Sequence, residues 1–212
     1  MFHNLRITIL SRLRDVILRL SNRLSERQML AVLAITVGLL AGLGTCLFEM
    51  LLHGVKEALV AWFPSDRAQA LLLVYPAFGI ILATLFVKYI VRDEISEGVT
   101  RVLYAMARRD SRIASHNCWS SIVGGATTIG FGGSVGPEAP IVLTGAAIGS
   151  NVGKIARLNY KQLTLLLCCG AGAAVAAIFK APITGVVFVL EILMLDITSA
   201  SVFPLILASV TA

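Results

Sequence analysis

The stretch Gly132-Gly133-Ser134-Val135-Gly136-Pro137-Glu138-Ala139-Pro140 decides how the chain is read. Its glycines admit backbone angles closed to other residues, and Pro140 suits the first turn of a helix. The apolar run behind it, through Ile141, Val142 and Ile148, predicts a helix over about 139–153 that begins at Glu138 or Ala139. At 1.5 Å per residue that helix is about 22 Å long, too short to cross a hydrocarbon layer of about 30 Å. Its first N–H groups have no internal partner and carry partial positive charge. In apolar surroundings they need an acceptor, which a bound anion can supply. Glu138 stands at this terminus, and two roles fit it. Its carboxylate can occupy the anion's seat and leave when protonated or displaced, which makes it a gate. It can equally be a cap with no part in transport.

The surrounding composition says why apolar surroundings are expected. Of 212 residues, 57% are hydrophobic and 14% charged, against about 45–50% and about 25% in soluble domains. Mean hydropathy is +0.86. A disordered chain is excluded, since it would be poor in apolar residues and rich in charge. A membrane protein is the first reading, ahead of an ordinary soluble enzyme.

Outward from the decisive stretch, the apolar segments are arranged as tilted or interrupted spans. Residues 29–52, broken by Glu49, make about 36 Å of helix, and Gly38 and Gly42 let a neighbouring helix approach. Residues 54–67 read as an interfacial turn, with Trp62 and Phe63 before Pro64 as its aromatic anchor. A second span covers 68–91, with a kink expected at Pro76. Residues 92–116 are charged, and Leu103 and Met106 suggest a short helix there. The mildly apolar stretch 117–131 leads into the glycines. Apolar segments at 162–179, 182–195 and 199–212 follow, several too short to span straight. Gly145, Gly149 and Gly153 recur every fourth residue, and Gly170 and Gly172 lie among alanines, so tight helix packing is expected at both places. The fold class is all-α: a polytopic membrane protein with tilted and broken helices.

Basic residues orient it. Six precede residue 28, six fall in 88–112 and three in 154–161, leaving Lys56, Arg67 and Lys180 elsewhere. The positive-inside rule makes the N-terminus, 88–112 and 154–161 cytoplasmic. Leu10, Leu13, Ile17, Leu20 and Leu24 share one helical face with Arg12, Arg19 and Arg23 off it, so residues 1–27 read as a cytoplasmic, interfacial amphipathic helix. The net charge of +6 then fits anionic lipid rather than nucleic acid. Cys46, Cys118, Cys168 and Cys169 have no metal-ligand spacing and read as small buried hydrophobes. His3, His53 and His116 are scattered. Glu49 and His53, four apart, suggest a helix-end pair. No catalytic, metal or cofactor constellation is expected, although a membrane enzyme of unknown chemistry and a non-transporting scaffold remain alternatives.

Gly-Pro-Glu-Ala-Pro at 136–140 resembles the Gly-Lys/Arg-Glu-Gly-Pro motif of the CLC family of chloride channels and chloride–proton antiporters. Gly145-Ala-Ala-Ile-Gly149-Ser-Asn follows. Then Cys169-Gly-Ala-Gly-Ala-Ala-Val-Ala-Ala-Ile-Phe-Lys-Ala-Pro-Ile-Thr-Gly-Val-Val-Phe-Val-Leu-Glu191 is similar to the family's Gly-Ala-Ala-Ala-Gly…Phe-x-Ala-Pro-Leu-Ala-Gly…Phe…Glu stretch. The ordered set covers about 60 residues and is specific as a set. The resemblance implies an inverted-repeat pore domain of which 28–212 is the first half, transport of chloride or a similar small anion as a voltage-gated-type channel or an anion/proton antiporter, and Glu138 as the gating carboxylate. It places anion contacts at Gly136, Ala139, Ile141 and Val142, Pro140 having no N–H. It also implies a homodimer through helices at about 183–212, in an inner or plasma membrane.

Three departures accompany it. The family's Gly-Ser-Gly-Ile-Pro falls near Ser96-Glu97-Gly98-Val99-Thr100. Ser96 and Gly98 are then the anion-binding candidates, and Glu97 stands where the serine is expected. The second, inner glutamate of many antiporters would follow Glu191, where Ile192 stands, so Glu191 itself is the proton candidate. Pro137 replaces the motif's basic residue. The family's inner tyrosine and second set of helix starts would lie beyond Ala212, so a fragment truncated at its C-terminus is expected, or else two half-length chains that assemble a pore.

Overall fold

The computed structural model describes residues 25–62, 75–91, 98–108, 111–194 and 198–212, and every regular element within them is helical. The expected amphipathic helix at the N-terminus therefore lies outside the described residues, as do Ser96 and Glu97.

The first helix, α1 (Glu26–Trp62), runs for 37 residues. It does not stop at residue 52 as the polar residues suggested. His53, Lys56 and Glu57 are tolerated within a helix, and one glycine, Gly54, costs only about 1 kcal/mol there. So the helix continues to Trp62, and the interfacial turn expected from 54 is helical as far as the described residues go. The expected Glu49–His53 helix-end pair is not found at a helix end: both lie within α1, and His53 Nδ1 lies 2.8 Å from the Glu49 carbonyl oxygen. Helix α2 (Tyr75–Phe86) passes into a π-helical turn, Val87–Val91, and Pro76 stands in its first described turn. Then come α3 (Gly98–Ala107), α4 (Asn117–Gly130), α5 (Glu138–Ile155), α6 (Tyr160–Phe179), α7 (Pro182–Ile192) and α8 (Ser199–Thr211).

Helix α6 is the axis of the molecule. Its residues from Leu165 to Ala176 are all buried, Cys168 and Cys169 among them. Helix α5 lies against it with almost no side chain between. A Cβ at Gly145 would fall on the Gly170 carbonyl, and one at Gly170 on the Gly145 carbonyl. Gly149 meets the Leu166 carbonyl in the same way. On another side of α6, Gly172 and Gly185 bring α7 in as closely. Helix α8 crosses α1 at Gly38 and Gly42, which face Ala208, Thr211 and Ala212. The glycine spacing thus does what was expected of it: dispersion contact between backbones replaces the hydrophobic drive that is missing between helices in lipid.

Large apolar side chains also lie on the outside. Leu43, Leu47 and Met50 of α1 are 67%, 50% and 76% exposed, and Phe78, Ile80 and Ile81 of α2 are exposed too. Cys46 belongs to this outer face rather than to the core. Such a surface is at home in hydrocarbon, not water. Among the described residues, α1 over Glu26–Leu59 and α6 are long and apolar enough to cross a membrane. Hydroxyls within helices satisfy themselves: Thr45, Thr84, Thr127, Thr128 and Thr144 each donate to the carbonyl four residues back at 2.7–3.1 Å, as a medium without water requires.

Candidate functional site

The termini of the helices are not treated alike. Asn159 caps α6 in a reciprocal pair with Gln162, and Thr198 does the same for α8 with Ser201. Helix α5 is preceded by Pro137, which gives its N-terminus no side-chain hydrogen bond. The Ile141 amide donates to the Pro137 carbonyl at 3.3 Å and closes the first turn. By helical pairing the Val142 amide falls to the Glu138 carbonyl. The first turn thus starts at Pro137, and the Ile141 and Val142 side chains are buried in the core. Glu138 and Ala139 carry the first-turn amides left without helical partners, Pro140 having none.

The Glu138 carboxylate turns back over the approach to its own helix. A Cβ at Gly136 would fall on its Oε2, so a glycine there leaves room for the folded-back side chain. Among the described residues no hydrogen bond or ion pair holds that carboxylate.

A second helix start meets the first. Gly98, buried and first in α3, lies against the backbone of Ala139; a Cβ there would fall on the Ala139 carbonyl oxygen. Each helix N-terminus carries roughly half a positive charge, and here the ends of α3 and α5 stand together beside Glu138. Of the expected anion contacts, Gly98, Gly136 and Ala139 are thus brought together with Glu138. Glu191 is not with them as a lining residue: it is exposed near the end of α7, and Ile192 beside it is exposed as well.

A cavity of about 470 Å³ opens beside the paired starts, between α2, its π-helical turn, α3, α4 and α5. Gly98, Ala139 and Pro140 line it together with Thr84, Arg101, Asn117 and Ser121. Among the described residues that line it there is no carboxylate. Asn117 is 3% exposed, and its Nδ2 has no hydrogen-bond partner among the described residues. The sequence reading passed over these residues. Asn117, Ser121, Gly124 and Thr128 recur at four, three and four along α4, and a polar stripe at helical spacing inside an apolar segment is the signal that would have found them. Among the described residues, no group of three or more His, Cys, Asp or Glu side chains is placed to hold a metal.

Comparison with known proteins places the family and the fold. The profile of the family described as "Voltage gated chloride channel" matches residues 78–212. A protein of Ralstonia nicotianae described as "Putative chloride channel protein ClcB-like" is 32% identical over 165 residues, which cover 76% of this chain and 38% of that protein. The H(+)/Cl(-) exchange transporter ClcA of Vibrio vulnificus is 33% identical over 169 residues, covering 75% and 35%. The chain therefore spans well under half the length of the curated relatives it matches. The crystal structure of a slow cyanobacterial Cl-/H+ antiporter superposes with a TM-score of 0.70 at 21% identity, over 89% of this chain and 45% of that one, and has the same fold.

Proposed function

Because this chain belongs to the voltage-gated chloride channel family, a family of membrane proteins, we propose that it supplies one half of a pathway by which chloride or a similar small anion crosses the bilayer, with Glu138 as the gating carboxylate. The observation that carries this reading is the meeting of two helix starts at Gly98 and Ala139 with Glu138 folded over Gly136 beside them. Two partial positive charges in an apolar interior favour one negative occupant. The candidates are the Glu138 carboxylate and a mobile anion. When the carboxylate is ionised it competes for that place. When it takes up a proton its charge is gone, the competition ends, and the anion enters.

That relatives are exchangers of protons and chloride by name supports the same carboxylate as proton carrier, with Glu191 as a candidate second proton site. Ser96, Gly98, Gly136 and Ala139 would form the anion's surroundings. The distribution of lysine and arginine supports a cytoplasmic N-terminus, and exposed apolar residues of α7 and α8, such as Ile183, Val187, Phe203 and Ile206, suit a second copy of the chain. Residues 28–212 would form one half of the pore domain, with 1–27 lying along the cytoplasmic interface. No bound cofactor and no enzymatic step are needed.

The test is flux from liposomes. The product of the complete reading frame that holds this sequence is reconstituted with Glu138 intact and as Glu138→Ala, and chloride efflux and proton uptake are recorded. Altered chloride flux with abolished proton movement in Glu138→Ala supports the proposal. Unchanged chloride and proton fluxes in that variant overturn it.

A further inference from the structure

Asn117 lines the cavity beside the paired helix starts, is 3% exposed, and carries an Nδ2 with no hydrogen-bond partner among the described residues. Two threonines of the same cavity settle their hydrogens within their own helices. Thr84 donates to the Ile80 carbonyl at 2.8 Å and Thr128 to the Gly124 carbonyl at 2.9 Å. Asn151, in the interior of α5, does likewise with the Ala147 carbonyl at 2.7 Å. Asn117 has no such recourse, because it is the first residue of α4 and no helical carbonyl stands one turn behind it. The Ile113 carbonyl, four residues back, accepts from Lys154 Nζ instead.

Nor is the side chain spent as a cap. The amides of Asn117, Cys118 and Trp119 donate to the carbonyls of Ala114, Ser115 and His116 at 3.1–3.3 Å. The start of α4 is thus closed by its own backbone and asks nothing of a side chain. A buried N–H pair without an acceptor is unfavourable, so the occupant of the cavity is expected to supply one.

The rest of the lining says what kind of acceptor. Gly98 and Ala139 bring two helix starts with partial positive charge to the same space, and the residues described along it include no carboxylate. A water there would have to donate as well as accept. An anion only accepts, and it also gains from the positive ends. Ile80, Val87, Val91 and Leu143 make much of the wall apolar, so an entering ion gives up its water. That loss is greatest for a small, tightly hydrated ion, and neutral donors return only part of it. The volume of about 470 Å³ leaves room for ions larger than chloride. We propose that Asn117 lends its N–H pair to an anion in this cavity, of the weakly hydrated monovalent class. Gly125 of α4 packs on Pro140 in the first turn of α5, and Asn117 lies eight residues before it, about 12 Å along the helix. The contact rests on the reading of the α3 and α5 starts as an anion site, and extends it by a residue outside the motifs matched to the family.

The test is calorimetry on the chain of 212 residues, purified in detergent in a gluconate buffer, with potassium thiocyanate, chloride and fluoride as the probes. The unaltered chain is expected to bind thiocyanate more tightly than chloride, and fluoride least. Asn117→Leu, close in size, should weaken thiocyanate about tenfold through loss of one hydrogen bond to a charged group, with a thermal melt confirming that it is folded. Asn117→Asp, nearly the same shape with a negative charge, should abolish binding at neutral pH. Thiocyanate bound equally by Asn117→Leu and the unaltered chain overturns the proposal. So does fluoride bound as tightly as thiocyanate, or no heat from any of the three salts. If Asn117→Leu does not fold, Asn117→Asp decides alone, and equal affinity in it is sufficient to overturn. Failure of the gate is read separately, from liposome flux in Glu138→Ala: altered flux there with unchanged binding in Asn117→Leu removes this contact and leaves the gate standing.

Discussion

Gly98 touches Ala139 backbone to backbone, with no volume for even one methyl group between them. The starts of α3 and α5 are joined by this contact alone of the two glycine contacts near Glu138; the other, at Gly136, gives room to a side chain. Gly98→Ala is therefore expected to push the two starts apart. The strain of the added carbon is about 1–3 kcal/mol, read as a lower midpoint in thermal melts of the detergent-purified chain. Anion flux should fall with it, because the two positive ends no longer act on one point. A melting midpoint equal to that of the unaltered chain would show that the contact is looser than described.

Glu138→Gln keeps the shape of the side chain and removes its charge. If the carboxylate competes with the anion, Glu138→Gln should pass chloride faster than the unaltered protein under the same conditions, which efflux from liposomes measures. Equal efflux from the two would show that the charge of the carboxylate does not compete.

The glycines of α1 give a contrast within one helix. A Cβ at Gly54 would meet nothing within 4 Å, whereas at Gly42 it would meet the Ala212 carbonyl oxygen at 2.5 Å. Gly54→Ala should stabilise the chain by about 1 kcal/mol through helix propensity. Gly42→Ala must push α8 away and should destabilise it by about 1–3 kcal/mol. Unfolding midpoints of the two variants, expected to move in opposite directions, check the pair.

Asn117 invites the opposite of the usual core substitution. Its Nδ2 is buried without a partner among the described residues, a burden of about 1–3 kcal/mol. Asn117→Leu, close in size, should therefore raise the melting midpoint rather than lower it. In flux assays the same variant should slow the anion if the cavity between α2 and α5 forms part of its path, because the lining loses an N–H donor. A lower midpoint in Asn117→Leu would mean that the amide holds a partner such as an ordered water.

What the sequence revealed, and what it hid, follows from the range of each interaction. The start of α5 was legible because proline and glycine act within a few residues. The packing of α5 on α6 was legible because Gly145 and Gly149 repeat at the pitch of a helix. The end of α1 was misread, since polar residues at 53–57 mark the edge of an apolar run but do not terminate a helix. The π-helical turn at Val87–Val91 has no composition of its own to announce it. Gly98 could be suspected only by resemblance, because its reason for being glycine is Ala139, 41 positions away along the chain.

The glycine seam between α5 and α6 also fixes a clock. Helices in contact through their own carbonyls cannot slide or roll without losing that contact along several turns, and collective helix shifts take microseconds to milliseconds. The Glu138 side chain, by contrast, is bound by no partner among the described residues and can turn about its own bonds in picoseconds to nanoseconds. If the seam stays closed while anions pass, the fastest event at the gate is a rotation of one side chain before a stationary helix end, and any slower step belongs to proton supply or to parts of the assembly other than this pair of helices.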